Sequence, residues 1–421
     1  LSPAGNLEKL KIAIKYGADA VYAGVSHFSL RIRAGKEFTF ETFKEGIDYA
    51  HARGKKVYAT INGFPFNSQI ELLKKHIATM AALEPDGFIV AAPGVVKLCR
   101  EIAPQIDIHL STQANVLNYL DAQVFWDMGV KRIVVAREIS LKDVVEIKKH
   151  LPDMEIEIFV HGSMCFAYSG RCLVSAVQMG RVPNRGSCAN DCRFEYTLYA
   201  ANEDHSTLFR LEEEPGVGTY IFNSKDMNLA SHIKEILDSG AVDSLKIEGR
   251  TKSPYYAAVT AKAYRNAIDD YYDGKFEASK YQRELYTTKN RGFTDAYLIH
   301  RPFEKTDSQN HDYALSKGSY EVTGLVTQDE EHFLCKYKVY PNEDIEIFTP
   351  MGEELVECEN EIGKIFKKDG IYYINFKKIL TETNKELESV HSGNVNKIKL
   401  PGTLPYLTMF RIENVDGTIV E

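Results

Sequence analysis

Four of the seven cysteines, Cys165, Cys172, Cys188 and Cys192, fall within 28 residues of one another, inside the stretch HGSMCFAYSGRCLVSAVQMGRVPNRGSCANDCRFEY that runs from His161 to Tyr196. The other three, Cys99, Cys335 and Cys358, are scattered. The spacing is C-x(6)-C-x(15)-C-x(3)-C. Thiolates are soft ligands that suit iron–sulfur clusters, zinc or copper(I). Structural zinc sites use close pairs separated by two to four residues. Only Cys188 and Cys192 are spaced that way. An iron–sulfur cluster is a larger object, whose corners take ligands from separate loops. Spacing alone leaves iron–sulfur, zinc and no metal all open.

The neighbours of the cysteines matter as well. Gly162, Gly170 and Gly186 free the backbone for turns beside a bulky group. Arg171, Arg181, Arg185 and Arg193 face a single acid, Asp191, across 161–193. Such an excess of positive charge offsets thiolates or receives an anionic substrate; it also suits a solvated loop. The chain as a whole is acidic, with 51 Lys and Arg against 59 Asp and Glu, a net charge of −8. Nucleic acid, if bound, must therefore meet a local patch. No apolar run reaches the length of a membrane span. The chain opens on LSPAGNLEKL, without an initiating Met (read as removal of a residue or more) and without a signal segment. With an odd cysteine count, this reads as a reducing cytoplasm, where clustered cysteines serve metal or redox chemistry rather than disulfides.

The elements that must position these groups alternate. Apolar strands are expected at DAVYAGV (19–25), KKVYATIN (55–62), DGFIVAA (86–92), IDIHLST (106–112), KRIVVAR (131–137), EIEIFVHG (155–162) and DSLKIEGR (243–250). Helical periodicity fills the gaps, as in NLEKLKIAIKYGA. Counting LSPAGN as the tail of a first strand gives eight. Eight parallel strands over about 250 residues fit a (β/α)8 TIM-like barrel. The absence of G-x-G-x-x-G after the first strand argues against a dinucleotide-binding sheet. In a barrel, function sits in the loops that follow the strands, so the cysteine stretch, which follows strand seven, falls on the catalytic rim. Residues 194–223 read as an antiparallel insertion, followed by helices over 226–238 and 254–273. A transition rich in Tyr, Lys and Gly spans 275–315. From about 316 the pattern becomes short strands with turn signals, a small C-terminal β-barrel. The expected domains are 1–300, with the insertion at about 161–223, then a linker at 301–315, then 316–421.

The segments FVHGSMCFAYSGRCLVS and NRGSCANDCRFEY closely resemble the signature of the collagenase-like peptidase family. SPAGNLEKLKIAIKYGADAVYAG and FSLRIRAG resemble the family's first strands, and SLKIEGRTKSPYYAAVTAKAYR its last barrel segment. The family includes tRNA uridine 5-hydroxylation proteins, an rRNA cytidine hydroxylation protein and proteins of oxygen-independent ubiquinone hydroxylation. Chain length and the 188–192 pair look most like the tRNA branch. The resemblance implies a 4Fe–4S cluster on Cys165, Cys172, Cys188 and Cys192. It also implies 5-hydroxyuridine formation at the wobble position of tRNA, with prephenate rather than molecular oxygen linked to the hydroxyl. A protein partner or homologous subunit is implied too, as in ubiquinone hydroxylation. A cluster-carrying subunit without its own catalysis is the corresponding alternative.

The family name makes peptidase a further alternative. H-E-x-x-H and G-x-S-x-G are both absent, and four cysteines exceed what a cysteine peptidase needs, although His161 is near Cys165 in sequence. Prephenate carries two carboxylates, so basic strand ends should receive it. Arg31, Arg33, Arg137 and Arg250 are the candidates, with Asn62 and Gln113 as polar contacts. Rim arginines also make purely structural ion pairs. By position, His161 and Glu248 are the candidate general acid–base groups, while His109, within a strand, reads as a core histidine. For RNA, residues 362–399 hold eight lysines against four acids, with Tyr372, Tyr373 and Phe376 interleaved. Lys367, Lys368, Lys377 and Lys378 are the candidate phosphate contacts, although aromatics that alternate in a strand also build cores.

Overall fold

The computed structural model describes residues 1–25, 28–29, 38–168, 171–181, 183, 188–201, 208–211, 223–300, 308–310 and 318–414. Seven strands follow the chain in order: β1 (Ser2–Pro3), β2 (Ala20–Ala23), β3 (Lys56–Ile61), β4 (Gly87–Val90), β5 (Ile108–Leu110), β6 (Arg132–Val134) and β7 (Glu155–Ser163). Each pairs in parallel with the next. Between them run α1 (Leu7–Lys15), α2 (Phe40–His51), α3 (Ile70–Ala81), α4 (Pro93–Ile102), α5 (Tyr119–Asp127) and α6 (Leu141–His150). Asn6, Thr39, Asn118 and Ser140 cap helices by accepting a backbone N–H.

After β7 come α7 (Val174–Met179), the hairpin β8 (Leu198–Ala201) and β9 (Leu208–Leu211), β10 (Asp226–Asn228), α8 (Ile233–Asp238), β11 (Ser244–Ile247) and α9 (Pro254–Tyr272). β11 pairs in parallel with β7. On its other side, Leu1 N donates to Leu245 O at 2.8 Å and Ile247 N to Leu1 O at 3.0 Å. The eighth parallel strand therefore touches both the seventh and the start of the first. The sheet is mixed, because β10 joins β7 antiparallel and carries β12 (Phe293–Thr294) at its far side.

The C-terminal strands are β13 (Tyr320–Val326), β14 (His332–Cys335), β15 (Lys338–Val339), β16 (Asp344–Phe348), β17 (Cys358–Glu359), β18 (Gly363–Lys368), β19 (Ile371–Phe376), β20 (Ile379–Leu380), β21 (Glu386–Leu387), β22 (Val390–His391), β23 (Ile398–Lys399) and β24 (Met409–Glu413). Eight of them form one antiparallel sheet in the order β17-β18-β19-β16-β24-β13-β14-β23, and β15–β22 and β20–β21 are two short ribbons beside it. The expected small β-barrel is thus a half-barrel. Its edge strands do not pair; Asn360 Nδ2, just beyond β17, reaches Pro401 O, just beyond β23, at 2.8 Å.

Two other expectations need correction, and a third lies largely outside the described residues. The helix expected over 226–238 begins only at Ile233, because 226–228 is a strand. The 275–315 transition contains α10 (Ala278–Tyr286). Of the expected linker, only 308–310 are described, and they pair beside Asn223–Lys225.

The half-barrel docks on the outer helices. The Tyr16 hydroxyl faces Phe348 O at 2.8 Å and Leu407 O at 3.0 Å, and its ring stacks on Phe348. Leu325, Phe348, Leu407 and Met409 join the same apolar core as the helices. Buried Arg411 bridges Glu346 of the sheet and Glu284 of α10, and its Nη1 donates to Tyr255 Oη at 2.9 Å. Among the described residues no helix is long and apolar enough to cross a membrane.

Arg411→Met strands two carboxylates at this junction and should lower unfolding stability by about 3–5 kcal/mol. Lys44→Ala, which breaks an exposed pair with Asp48, should cost less than about 0.5 kcal/mol. Urea midpoints check both; a small loss for Arg411→Met would mean that the junction holds without its charge.

Candidate functional site

The site is built around strand β7, which is longer than its neighbours. Its inner part, Glu157–His161, pairs with β11, and its outer part, His161–Ser163, pairs with β10. A bulge lies between them: Lys246 is opposite Phe159, but Ile247 is opposite His161. Val160 is the extra residue. Gly162 sits at φ +114, and a Cβ there would lie 2.5 Å from Glu248 O, so only glycine fits this crossing.

The bulge changes where His161 goes. Its ring is 1% exposed, between Tyr256, Tyr264 and Phe293, with Nδ1 3.4 Å from Tyr264 Oη. Burial pushes its pKa down to about 3, against the pull of Asp226. His161 is therefore a neutral imidazole behind the cavity and does not line it. That does not suit the general acid–base role expected from its place after the strand.

The cavity at the strand ends has a volume of about 140 Å³, roughly the space that holds one benzene-sized ring. Asn62, Gln113, Arg137, Glu248 and Arg250 all line it, as expected from the sequence. Asn62 Nδ2 donates to Gln113 Oε1 at 2.9 Å, and Gln113 Nε2 returns a bond to Asn62 O at 3.0 Å. Arg137 lies flat on Phe159, 3.7 Å from its centroid, with Glu248 Oε2 at 3.6 Å. Arg250 Nη1 donates to Ser29 Oγ at 2.7 Å and Thr60 Oγ1 at 3.0 Å. Arg31 and Arg33 lie outside the described residues.

Sequence reasoning missed Lys246, which also lines the cavity. Its Nζ is 2.7 Å from Glu157 Oε1, and Glu157 also takes Ser244 Oγ at 2.7 Å and Arg132 at 3.3 Å. A lysine in the middle of a buried parallel strand was the available signal. His109, by contrast, is a core residue packed on Tyr58.

All four clustered cysteines line the same cavity. Each is a free, half-buried thiol. Burial raises the pKa of Cys192, and Cys165, Cys188 and Cys172 add to the rise while Arg193 opposes it. The two cysteine loops are tied together: Ala189 N donates to Ser175 Oγ of α7, and Gln178 Nε2 of α7 donates to Tyr196 Oη, which in turn donates to Asp191 O. Among the described residues no three His, Cys, Asp or Glu are arranged to hold a metal ion. Four soft donors converging on one cavity suit a group that takes thiolate ligands, an iron–sulfur cluster or zinc.

The candidate RNA contacts are far along the chain. Lys367 and Lys368 end β18, Lys377 and Lys378 follow β19, and all four are exposed. Lys367 lies over the Tyr372 ring at 4.9 Å, and Lys377 pairs with Glu359 at 2.6 Å. Tyr372 and Tyr373 are half-buried, whereas Phe376 is in the core.

The model of peptidase family U32 matches residues 5–308. The chain belongs to that family. It is 64% identical over 413 residues to "tRNA hydroxylation protein P" of Helicobacter pylori strain 26695, covering 98% of each chain. It is 39% identical over 409 residues to the Escherichia coli K12 protein of the same name, covering 86% of this chain and 89% of that one. The solved U32 peptidase Mk0906 aligns with 60% of this chain and 92% of its own at 17% identity, with a TM-score of 0.40.

Two of the buried histidines of this U32 chain, His109 and His161, predict acid sensitivity. Burial lowers the pKa of His109, like that of His161, to about 3, against about 6.5 when unfolded. Between these values the unfolded chain binds more protons, so stability falls as pH drops through this window. From pH 6.5 to 5 the loss should be on the order of 1–2 kcal/mol per histidine. His161→Phe should flatten the urea-midpoint profile over that range, and an unaltered slope would show that His161 titrates in the folded protein.

Proposed function

We propose that this chain hydroxylates carbon 5 of the wobble uridine of tRNA, without molecular oxygen, in the reducing cytoplasm. The observation that carries the reading is the convergence of four thiols with Arg137, Arg250 and Lys246 on one ring-sized cavity. The printed names of the H. pylori and E. coli relatives support tRNA hydroxylation. In this reading the parallel strands form a (β/α)8 TIM-like barrel, 1–300 is the catalytic domain with its insertion at about 161–223, 301–315 is a linker, and 316–421 is an RNA-binding half-barrel.

Cys165, Cys172, Cys188 and Cys192 would hold a 4Fe–4S cluster. Such a cluster supplies one-electron relay, and four thiolate ligands leave it no open iron. The chain's own residues do the rest. Arg137, pinned on Phe159, and Arg250, pinned by Ser29 and Thr60, are preorganised for carboxylates, as prephenate requires. Glu248 stands at the mouth to carry a proton, and Asn62 and Gln113 offer amide contacts to a flat base. His161 is a positioning residue. It holds the crossing of β7, β10 and β11, which fixes the start of the cysteine segment.

The peptidase alternative needs an imidazole beside a thiol. Among the described residues no histidine lines the cavity, so a thiol there has no imidazole to take its proton. A cluster-carrying subunit is the remaining alternative, and a protein partner is part of it.

Anaerobically purified protein should contain about four irons and four sulfides per chain, and Cys188→Ala should lose them. Cells relying on Cys188→Ala should lack 5-hydroxyuridine in digested tRNA. Stoichiometric zinc, or hydroxyuridine independent of Cys188, would sink the reading. Separately, changing Lys367, Lys368, Lys377 and Lys378 to Glu should weaken tRNA binding. The dependence of log affinity on log salt should flatten by roughly 0.7–0.9 for each lost phosphate contact. Unchanged affinity would move the RNA surface elsewhere.

A further inference from the structure

Lys246 is a buried amine that opens on the cavity, and neither the thiols nor the amide contacts explain it. Its Nζ lies between the Tyr22 ring, at 4.5 Å, and the Phe159 ring, at 5.8 Å. Glu157, which it meets at 2.7 Å, also faces Arg132 at 3.3 Å, so a second cation, itself paired with Glu155, stands beside the amine. Glu248, two residues on and also on the cavity wall, is the other acid whose charge reaches it. Burial makes Lys246 less basic; Glu157 and Glu248 oppose this and Arg132 adds to it. Desolvation beside a second cation is how a lysine becomes a nucleophile toward carbonyl carbon. Around the same small space stand the guanidinium groups of Arg137 and Arg250, shaped for a carboxylate. An amine and carboxylate receptors in one ring-sized cavity match a ketone with an adjoining carboxylate.

We propose that Lys246 captures the ketone of a 2-oxo acid as a Schiff base. The ammonium passes a proton to Glu248 or Glu157, and the free amine adds to the carbonyl carbon, forming a C–N bond. The carbinol oxygen takes up protons and leaves as water, which breaks the C–O bond. The net exchange is ammonium plus ketone giving iminium plus water, with no electron transferred. Charge is conserved overall, so Glu157 faces a cation before and after the exchange. Prephenate carries such a 2-oxo acid group, and to that extent the inference rests on the function proposed above; the capture itself needs neither tRNA nor cluster.

Pyruvate is the probe. The full-length protein is incubated with pyruvate and cyanoborohydride, digested and mapped by mass spectrometry. The expected result is one carboxyethyl group, approaching one per chain, on the peptide that contains Lys246. Lys246→Arg should lower total labelling at least roughly tenfold, and lactate, which has no ketone, should give none. Should Lys246→Arg fail to fold, the wild-type map decides. Labelling spread over exposed lysines such as Lys97 and Lys275, with Lys246 unmodified, overturns the proposal. Added prephenate separates the two readings: protection of Lys246 joins them, whereas labelling that prephenate leaves untouched keeps the capture and removes prephenate as its substrate.

Discussion

Everything at the mouth of this molecule depends on β7 running past its two parallel neighbours, β6 and β11, to pair with a third strand, β10. A strand buried between two parallel neighbours would end level with them. Here Val160 bulges, Gly162 takes a conformation closed to other residues, and the last residues pair antiparallel with β10. The chain therefore leaves the sheet beside the cavity rather than over an outer helix, and Cys165 follows within two residues of the strand's end. His161 fills the space behind the crossing with a neutral ring. A charged ring there would be buried among Tyr256, Tyr264 and Phe293 without a counter-charge in contact.

Charge at the strand ends is the second constraint. An acidic chain has assembled a cavity with Arg137, Lys246, Arg250 and Arg193 on its wall and Glu248 as its one lining carboxylate among the described residues. Arg137, Lys246 and Arg250 are held by aromatic faces, hydroxyls, Glu157 and Glu248, and the arrangement is costly unless every member is paired. Thiolates and carboxylates are the charges such a wall accepts. The half-barrel joins on the opposite side of the outer helices through a different logic: an apolar seam with Tyr16 and Arg411 bridging it.

Much of this was legible in the sequence. The strands announced themselves as Val/Ile runs because both faces of a parallel sheet are covered. The cysteine quartet was named from its clustering, and Asn62, Gln113, Arg137, Glu248 and Arg250 from their positions after strands. What failed has physical reasons. The strand Asp226–Asn228 has no β-branched residue and exists because β7 offers it an unpaired edge. His161 was placed on the rim by counting, and the bulge turned it inward. Lys246 was passed over as one polar residue in SLKIEGR, although a charge in a fully covered strand must have a buried partner, and Glu157 in EIEIFVHG was that partner. The curled C-terminal sheet read as a barrel because strand patterns do not report whether edges close.

The central claim is that the thiol-lined, cationic cavity oxidises a tRNA base and does not cut peptides. The most direct measurement is nucleoside mass spectrometry of unmodified tRNA after incubation, under anaerobic conditions, with the purified cluster-loaded chain and prephenate. The account predicts 5-hydroxyuridine at the wobble position, absent when either the cluster or prephenate is omitted. Unchanged tRNA alongside cleavage of a gelatin substrate by the same preparation would contradict it.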